Sequence, residues 1–179
     1  MKKQKLIASV AIITMAMSLF TGCAVKMGVP EVRDGRFDFS VTYEVNGEEQ
    51  TYTGVYVCKY EGVSVALDGK GRSWNGYIEN GRPDGMVEIQ NNDDGKIYID
   101  FKFNPLYFMS DPNSVIFEIP EPELILVYHS EDPDFVHFSQ EVDFLADYGV
   151  QLISYTYSDP VENSFEEKWV LGNFEMGIN

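Results

Sequence analysis

The segment Arg36-Phe37-Asp38-Phe39-Ser40-Val41-Thr42-Tyr43-Glu44-Val45 alternates without a break. Phe37, Phe39, Val41, Tyr43 and Val45 fall on one face, and Asp38, Ser40, Thr42 and Glu44 on the other. That period of two predicts a half-buried β-strand. Asn46-Gly47 follows as a turn, and Thr51 to Tyr60 supplies the partner strand of a hairpin. Val63 to Leu67 is a short strand ended by Asp68-Gly69-Lys70-Gly71. Met86 to Gln90 and Lys96 to Phe103 flank Asn91-Asn92-Asp93-Asp94-Gly95 as a second hairpin. Val115 to Ile119 and Leu124 to Tyr128 are separated by Pro120-Glu121-Pro122, whose prolines place them at an edge or a bend. Val150 to Tyr157 returns to strand character up to Asp159-Pro160, and Phe165 to Leu171 forms a last strand.

One stretch has a helical period instead. Phe135, Phe138, Val142 and Leu145 recur at spacings of three and four, and Gly149 is a C-terminal stop. Asp132 before Pro133 caps the start, or Ser139 caps a shorter helix. The expected fold is therefore mainly β, an antiparallel sheet or sandwich, with at least one helix near residues 133–148. This is an all-β fold with minor α, or α+β.

Charge narrows the function classes. The chain has 179 residues, 13 Lys+Arg against 29 Asp+Glu, and a formal charge of −16. Nucleic acid is excluded as a partner, because binding it needs a basic face. The 44% hydrophobic content suits a packed globule rather than a disordered chain. The acids are unevenly placed: from Phe103 to Asn179 one base, Lys168, stands against 15 acids. Such a half suits a basic protein or peptide partner, or a passive solvated surface.

The N-terminus reads as an address. Lys2, Lys3 and Lys5 precede an uncharged apolar run from Leu6 to Phe20, about 22 Å as a helix and short of a bilayer core of about 30 Å. That is the pattern of an export signal over residues 1–22. Its end, Leu19-Phe20-Thr21-Gly22-Cys23, resembles the lipobox of bacterial lipoproteins, with Phe20 where leucine is usual. The resemblance implies that Cys23 is diacylated and becomes the new N-terminus on the outer face of the cell membrane. Loss of residues 1–22 removes three lysines and takes the charge from −16 to −19. Residues 23–36 lack periodicity and are expected to be a tether of about 20 Å reach. Residues 37–179 are then a single β-rich domain. With Cys23 acylated, Cys58 has no intramolecular partner and reads as a buried, inert thiol.

Two further resemblances concern the body. Gly71-x-x-Trp74-x-Gly76-x-Ile78-x-x-Gly81-x-x-x-Gly85 resembles one unit of the MORN repeat, a β-hairpin module whose arrays are associated with membrane and protein contacts. One and a half units cannot form an array. Tyr43-Glu44-Val45-Asn46-Gly47-Glu48, Tyr56-Val57-Cys58 and Arg72-Ser73-Trp74-Asn75-Gly76-Tyr77 are similar to segments of uncharacterised lipoproteins of Gram-positive bacteria. That similarity implies membrane anchoring and brings no catalytic residues.

Candidate chemistry is sparse. His129, Glu131, Asp132, Asp134 and His137 lie within nine residues, and oxygen-rich clusters suit calcium while histidines suit zinc. The competing reading gives Asp132 a helix cap, with acids complementing the dipole. Trp74, Tyr77 and Trp169 are the candidates for an aromatic platform, against the plain expectation that aromatics fill a β core. Gly62-Val63-Ser64-Val65-Ala66 superficially matches a nucleophile elbow but lacks the strand-turn-helix that motif requires. No catalytic residue and no cofactor is assigned, and the sequence carries no signal for oligomeric state. Two readings stand: a lipid-anchored binding or interaction module, and a small metal-dependent or hydrolytic envelope enzyme using His129 to His137.

Overall fold

The alternating segment becomes strand β2 (Asp34–Val45) in the structure, a computed structural model that describes residues 25–66, 69–82, 85–115, 118, 121–128, 138–139, 142–171 and 174–176. It follows β1 (Val25–Pro30) and precedes β3 (Glu48–Ala66), β4 (Gly69–Ile78), β5 (Met86–Asn91) and β6 (Gly95–Asp100). The remaining elements are α1 (Pro105–Phe108), β7 (Glu123–Tyr128), β8 (Phe138–Ser139), α2 (Phe144–Tyr148), β9 (Val150–Tyr157), β10 (Phe165–Leu171) and β11 (Phe174–Met176). The fold is mainly β, as the alternation dictates, with three antiparallel sheets among the described residues.

The described residues cluster into two compact units. The first holds residues up to Glu31, Glu61–Ser73 and Ser164 onward; the second holds Val32–Tyr60 and Trp74–Asn163.

The first unit contains the sheet β1-β10-β11. Residues 25–30, expected as part of a loose tether, are an ordered strand paired with β10 from Val25↔Val170 to Pro30↔Phe165. Met27 and Val29 alternate inward and are buried, as is Val170. This Val-x-Met-x-Val pattern is short and interrupted by Lys26 and Gly28, so a pairing partner far along the chain decides its fate. The backbone N–H of Glu31 donates to the Ser164 carbonyl and closes the ladder.

The second unit holds the remaining elements except the end of β3 (from Glu61) and the start of β4 (to Ser73), which fall in the first. Its first sheet runs β4-β3-β2-β9, and its second runs β5-β6-β7-β8. Asn46 (φ 53°) and Gly47 (φ 84°) turn β2 into β3. Two successive positive φ values are the type I′ geometry that matches strand twist, which is why Asn-Gly stands there. On β2, Phe37, Phe39, Val41 and Tyr43 are buried, with Tyr56 and Cys58 of β3 joining them. They close on Ile99, Phe101, Phe108 and Met109 in one core, a sandwich-like arrangement of the two sheets. A smaller cluster of Ile97, Leu126, Phe144 and Val150 continues it.

The segment resembling a MORN hairpin is built differently. β4 pairs in the sheet of β3, whereas β5 pairs with β6, so residues 79–85 connect two sheets rather than closing a hairpin. Its Gly76 has a local reason: a Cβ there would run into the Tyr56 hydroxyl. Gly76→Ala is accordingly expected to cost about 1–3 kcal/mol through overpacking, read as a shifted urea midpoint.

Of the helix expected near 133–148, the described residues show the C-terminal part, while residues 129–137 and 140–141 lie outside them. Phe138 sits in β8, and α2 begins only at Phe144, capped by Asp143, whose carboxylate accepts from the Ala146 N–H at 3.0 Å. Ser139, the other cap expected, lies in β8, and Asp132 lies outside the described residues. Gly149, at φ 66°, terminates it as expected. The short α1 was hidden in Asn104-Pro105: Asn104 caps it through the Leu106 N–H, and Pro105 occupies the first turn. Val115 is 84% exposed and outside any strand, and Ile116, Phe117 and Ile119 lie outside the described residues.

Candidate functional site

The β4-β3-β2-β9 sheet carries a groove of about 530 Å³ lined, with Phe39, Gly54 and Tyr157 between them, by Asp38, Ser40, Thr53, Val55, Thr156 and Ser158. These are the polar positions of the same alternation that buries Phe37 and Phe39. Register then lines them up. Ser40 pairs with Thr53 on one side and Thr156 on the other. Two positions along, Thr42 pairs with Thr51 and Ser154. Six hydroxyl side chains thus form two rows across three strands, about 4.8 Å apart between strands and about 6.8 Å along them. Within one row the Thr42 and Thr51 hydroxyls are 3.2 Å apart and hydrogen-bond each other.

The local folding that permits this is specific. A bulge between Thr42 and Tyr43 leaves Ile153 unmatched, so β9 keeps Ser154 and Thr156 on the outer face. The strand is pinned beyond the groove by Ser158, whose N–H and hydroxyl both donate to the Asp38 carbonyl, at 2.9 and 3.1 Å. Beneath the floor, Phe39, Gly54 and Tyr157 form the intervening inward row. Gly54 leaves room for the Phe39 ring, which would lie 2.5 Å from an added Cβ. Burial pushes the Tyr157 phenol well above its ordinary range, so it stays neutral, and its buried oxygen has no hydrogen-bond partner.

Electrostatics divide the face. Among the described residues lining the groove there is no Lys or Arg, and Asp38 is the one acidic residue. To one end Arg36 forms a bidentate pair with Glu79, at 2.8 and 2.6 Å. The hydrogen bond from Arg36 holds the Glu79 carboxyl below its usual range. Beside it the Lys59 ammonium lies 5.7 Å from the Tyr77 ring centroid. To the other end stand Glu44 and Glu49, directly opposite each other. The hydroxyl rows can exchange hydrogen bonds with an uncharged polar ligand, each hydroxyl acting as donor and acceptor.

The residues singled out from sequence are distributed as follows. Trp74 and Tyr77 lie three apart on β4 and so project to opposite faces. Trp74 packs inward: its indole N–H donates to Asp111 at 2.8 Å and its ring stands edge-on to Tyr60 at 5.2 Å. Tyr77 is half-buried on the outer side. Trp169 belongs to the first unit and is 44% exposed. The three therefore form no common platform within either unit. His129, Asp132, Asp134 and His137 lie outside the described residues, as does Cys23. Among the described residues no three His, Cys, Asp or Glu side chains converge as a metal site. Cys58 is a free, fully buried thiol that burial pushes up to about 12.

The groove residues were present in the sequence as Ser40-x-Thr42, Thr51-x-Thr53 and Ser154-x-Thr156. Read strand by strand, each is an ordinary solvent face; register alone makes them one surface. Comparison with known proteins gives no matching family model, no matching curated protein and no matching solved structure.

Proposed function

We propose that this chain is an exported, lipid-anchored binding module, held to the outer face of the cell membrane through Cys23, whose working surface is the hydroxyl-lined groove. The observation that carries the binding reading is the three-strand hydroxyl row Ser40, Thr53 and Thr156 in a groove of about 530 Å³, with Thr42, Thr51 and Ser154 as a second row beside it. That volume lies within the range of about 300–1,000 Å³ usual for ligand sites. A groove without cations disfavours phosphates and other polyanions, and the chain's strong negative charge repels them further. Serine and threonine hydroxyls with one carboxylate acceptor match an uncharged, hydroxyl-rich ligand, a neutral glycan segment above all.

Calorimetric titration with uncharged oligosaccharides tests this. The double variant Thr53→Val, Thr156→Val keeps side-chain shape and removes two hydrogen-bonding groups. At about 1 kcal/mol each, binding is expected to weaken roughly thirtyfold with the melting temperature little changed. Absence of binding to any uncharged glycan, or affinity indifferent to the double variant, contradicts the glycan assignment. Binding of basic peptides alone would return the acidic surface as the working one.

A further inference from the structure

We infer that the face of the first unit bearing Lys26, Arg72 and Trp169 rests against the lipid headgroups, with the Trp169 indole as an interfacial anchor. This rests on the proposal that Cys23 is acylated. The expected loose tether is replaced by β1, which starts at Val25, so almost no free chain separates the lipid from an ordered strand. Lys26 is three residues from Cys23, at most about 11 Å of extended chain. Lys26 is the cross-strand partner of Trp169, about 5 Å away at the backbone. Trp169 thus lies within about 16 Å of the acylated cysteine, and the first unit has no length of chain with which to leave the surface.

The chemistry of this face fits that location. Pairing places Lys26 and Gly28 on the same side of the sheet as Trp169 and Glu167, opposite the buried Met27, Val29 and Val170; further along that side Pro30 is fully buried, so the open part of the face is its Lys26–Trp169 end. Trp169 is 44% exposed, which leaves a large amphipathic ring in water unless something covers it. An indole gains most at the boundary between headgroups and acyl chains, where its body is apolar and its N–H is wet. Arg72 joins from β4, its guanidinium donating to the Gly28 carbonyl at 3.1 Å and lying 4.6 Å from the Phe165 ring centroid. Among the described residues this face carries Lys26, ion-paired to Glu167 at 2.6 Å, and Arg72, in a mature chain of −19. Its cations are what this end offers to lipid headgroups, while the indole supplies the apolar contact.

The test uses the full-length lipidated protein in phosphatidylcholine–phosphatidylglycerol vesicles, with and without brominated acyl chains. The chain has two tryptophans, so wild type is compared with Trp169→Phe, a change at an exposed site. Wild-type emission is expected to shift to the blue on vesicles and to fall by at least a third with brominated lipid, while Trp169→Phe shows no bromine quenching. Co-sedimentation in the same samples reports the lipid anchor separately. Protein that sediments with vesicles yet is quenched equally in both forms, or in neither, overturns the inference and leaves the anchor intact. Protein that does not sediment overturns the anchor and this inference with it.

Discussion

Phe101→Ala is expected to lower the free energy of unfolding by about 3–5 kcal/mol, a large share of the about 5–15 kcal/mol that holds a domain of this size. Phe101 is fully buried. Its ring stands edge-on to Phe39, with centroids 4.7 Å apart, and stacks on Phe103 at 5.2 Å and 6°. Phe39 is in turn 4.9 Å from Phe103, so the three rings touch one another. Removing one of them forfeits both its transfer free energy and its contacts with rings that cannot all collapse into the space. Phe101→Leu retains most of the volume and is expected to lose less than half as much. Urea unfolding by circular dichroism reads both. A loss below about 1 kcal/mol for the alanine variant would contradict the packing described.

The second large effect is alkaline. The Cys58 thiol, pushed up from 9.0 to about 12 chiefly by burial, keeps its proton in the folded chain long after the unfolded chain has lost it. Below pH 9 both states are protonated and the thiol adds no pH dependence. Between pH 9 and about 12 only the unfolded state ionises, so stability falls as pH rises, by about 1.4 kcal/mol per pH unit. The total approaches about 4 kcal/mol at pH 12. Tyr56, two residues away on the same inner face, is raised by the same desolvation and adds its own decline above pH 10. Cys58→Ala costs stability at every pH by leaving a cavity, but removes one titrating group. Between pH 8 and pH 10 the wild type is therefore expected to lose about 1.4 kcal/mol more than the variant. Equal losses, or alkylation of the native thiol at pH 8, would contradict the burial of this side chain.

Legibility in the sequence followed the range of the interactions involved. The β2–β3 hairpin was readable because alternation and Asn46-Gly47 are local signals that agree. The β5–β6 hairpin was readable for the same reason. The helix expected near 133–148 is present at its C-terminal end as Phe144–Tyr148, where Gly149 is a local stop signal, while Phe138 shows that apolar spacing of three and four can also include a strand residue. Its cap, Asp143, is indistinguishable by composition from a dozen other acids. β1 was missed because its six residues acquire strand character only by pairing with β10, some 140 positions along the chain. The groove was missed for a related reason: Thr53, Ser40 and Thr156 become neighbours through two different registers, one of which contains a bulge.

Because β1 begins at Val25, the proposed anchor at Cys23 would leave almost no slack. The most direct test of the account is the mass of the N-terminal peptide of the mature protein isolated from membranes of the producing cell. The account predicts a peptide that begins at Cys23, lacks residues 1–22 and carries a diacylglyceryl group, and a Cys23→Ala protein that is absent from the membrane fraction. An unmodified Cys23, or a Cys23→Ala protein that stays with the membrane as the wild type does, would contradict it.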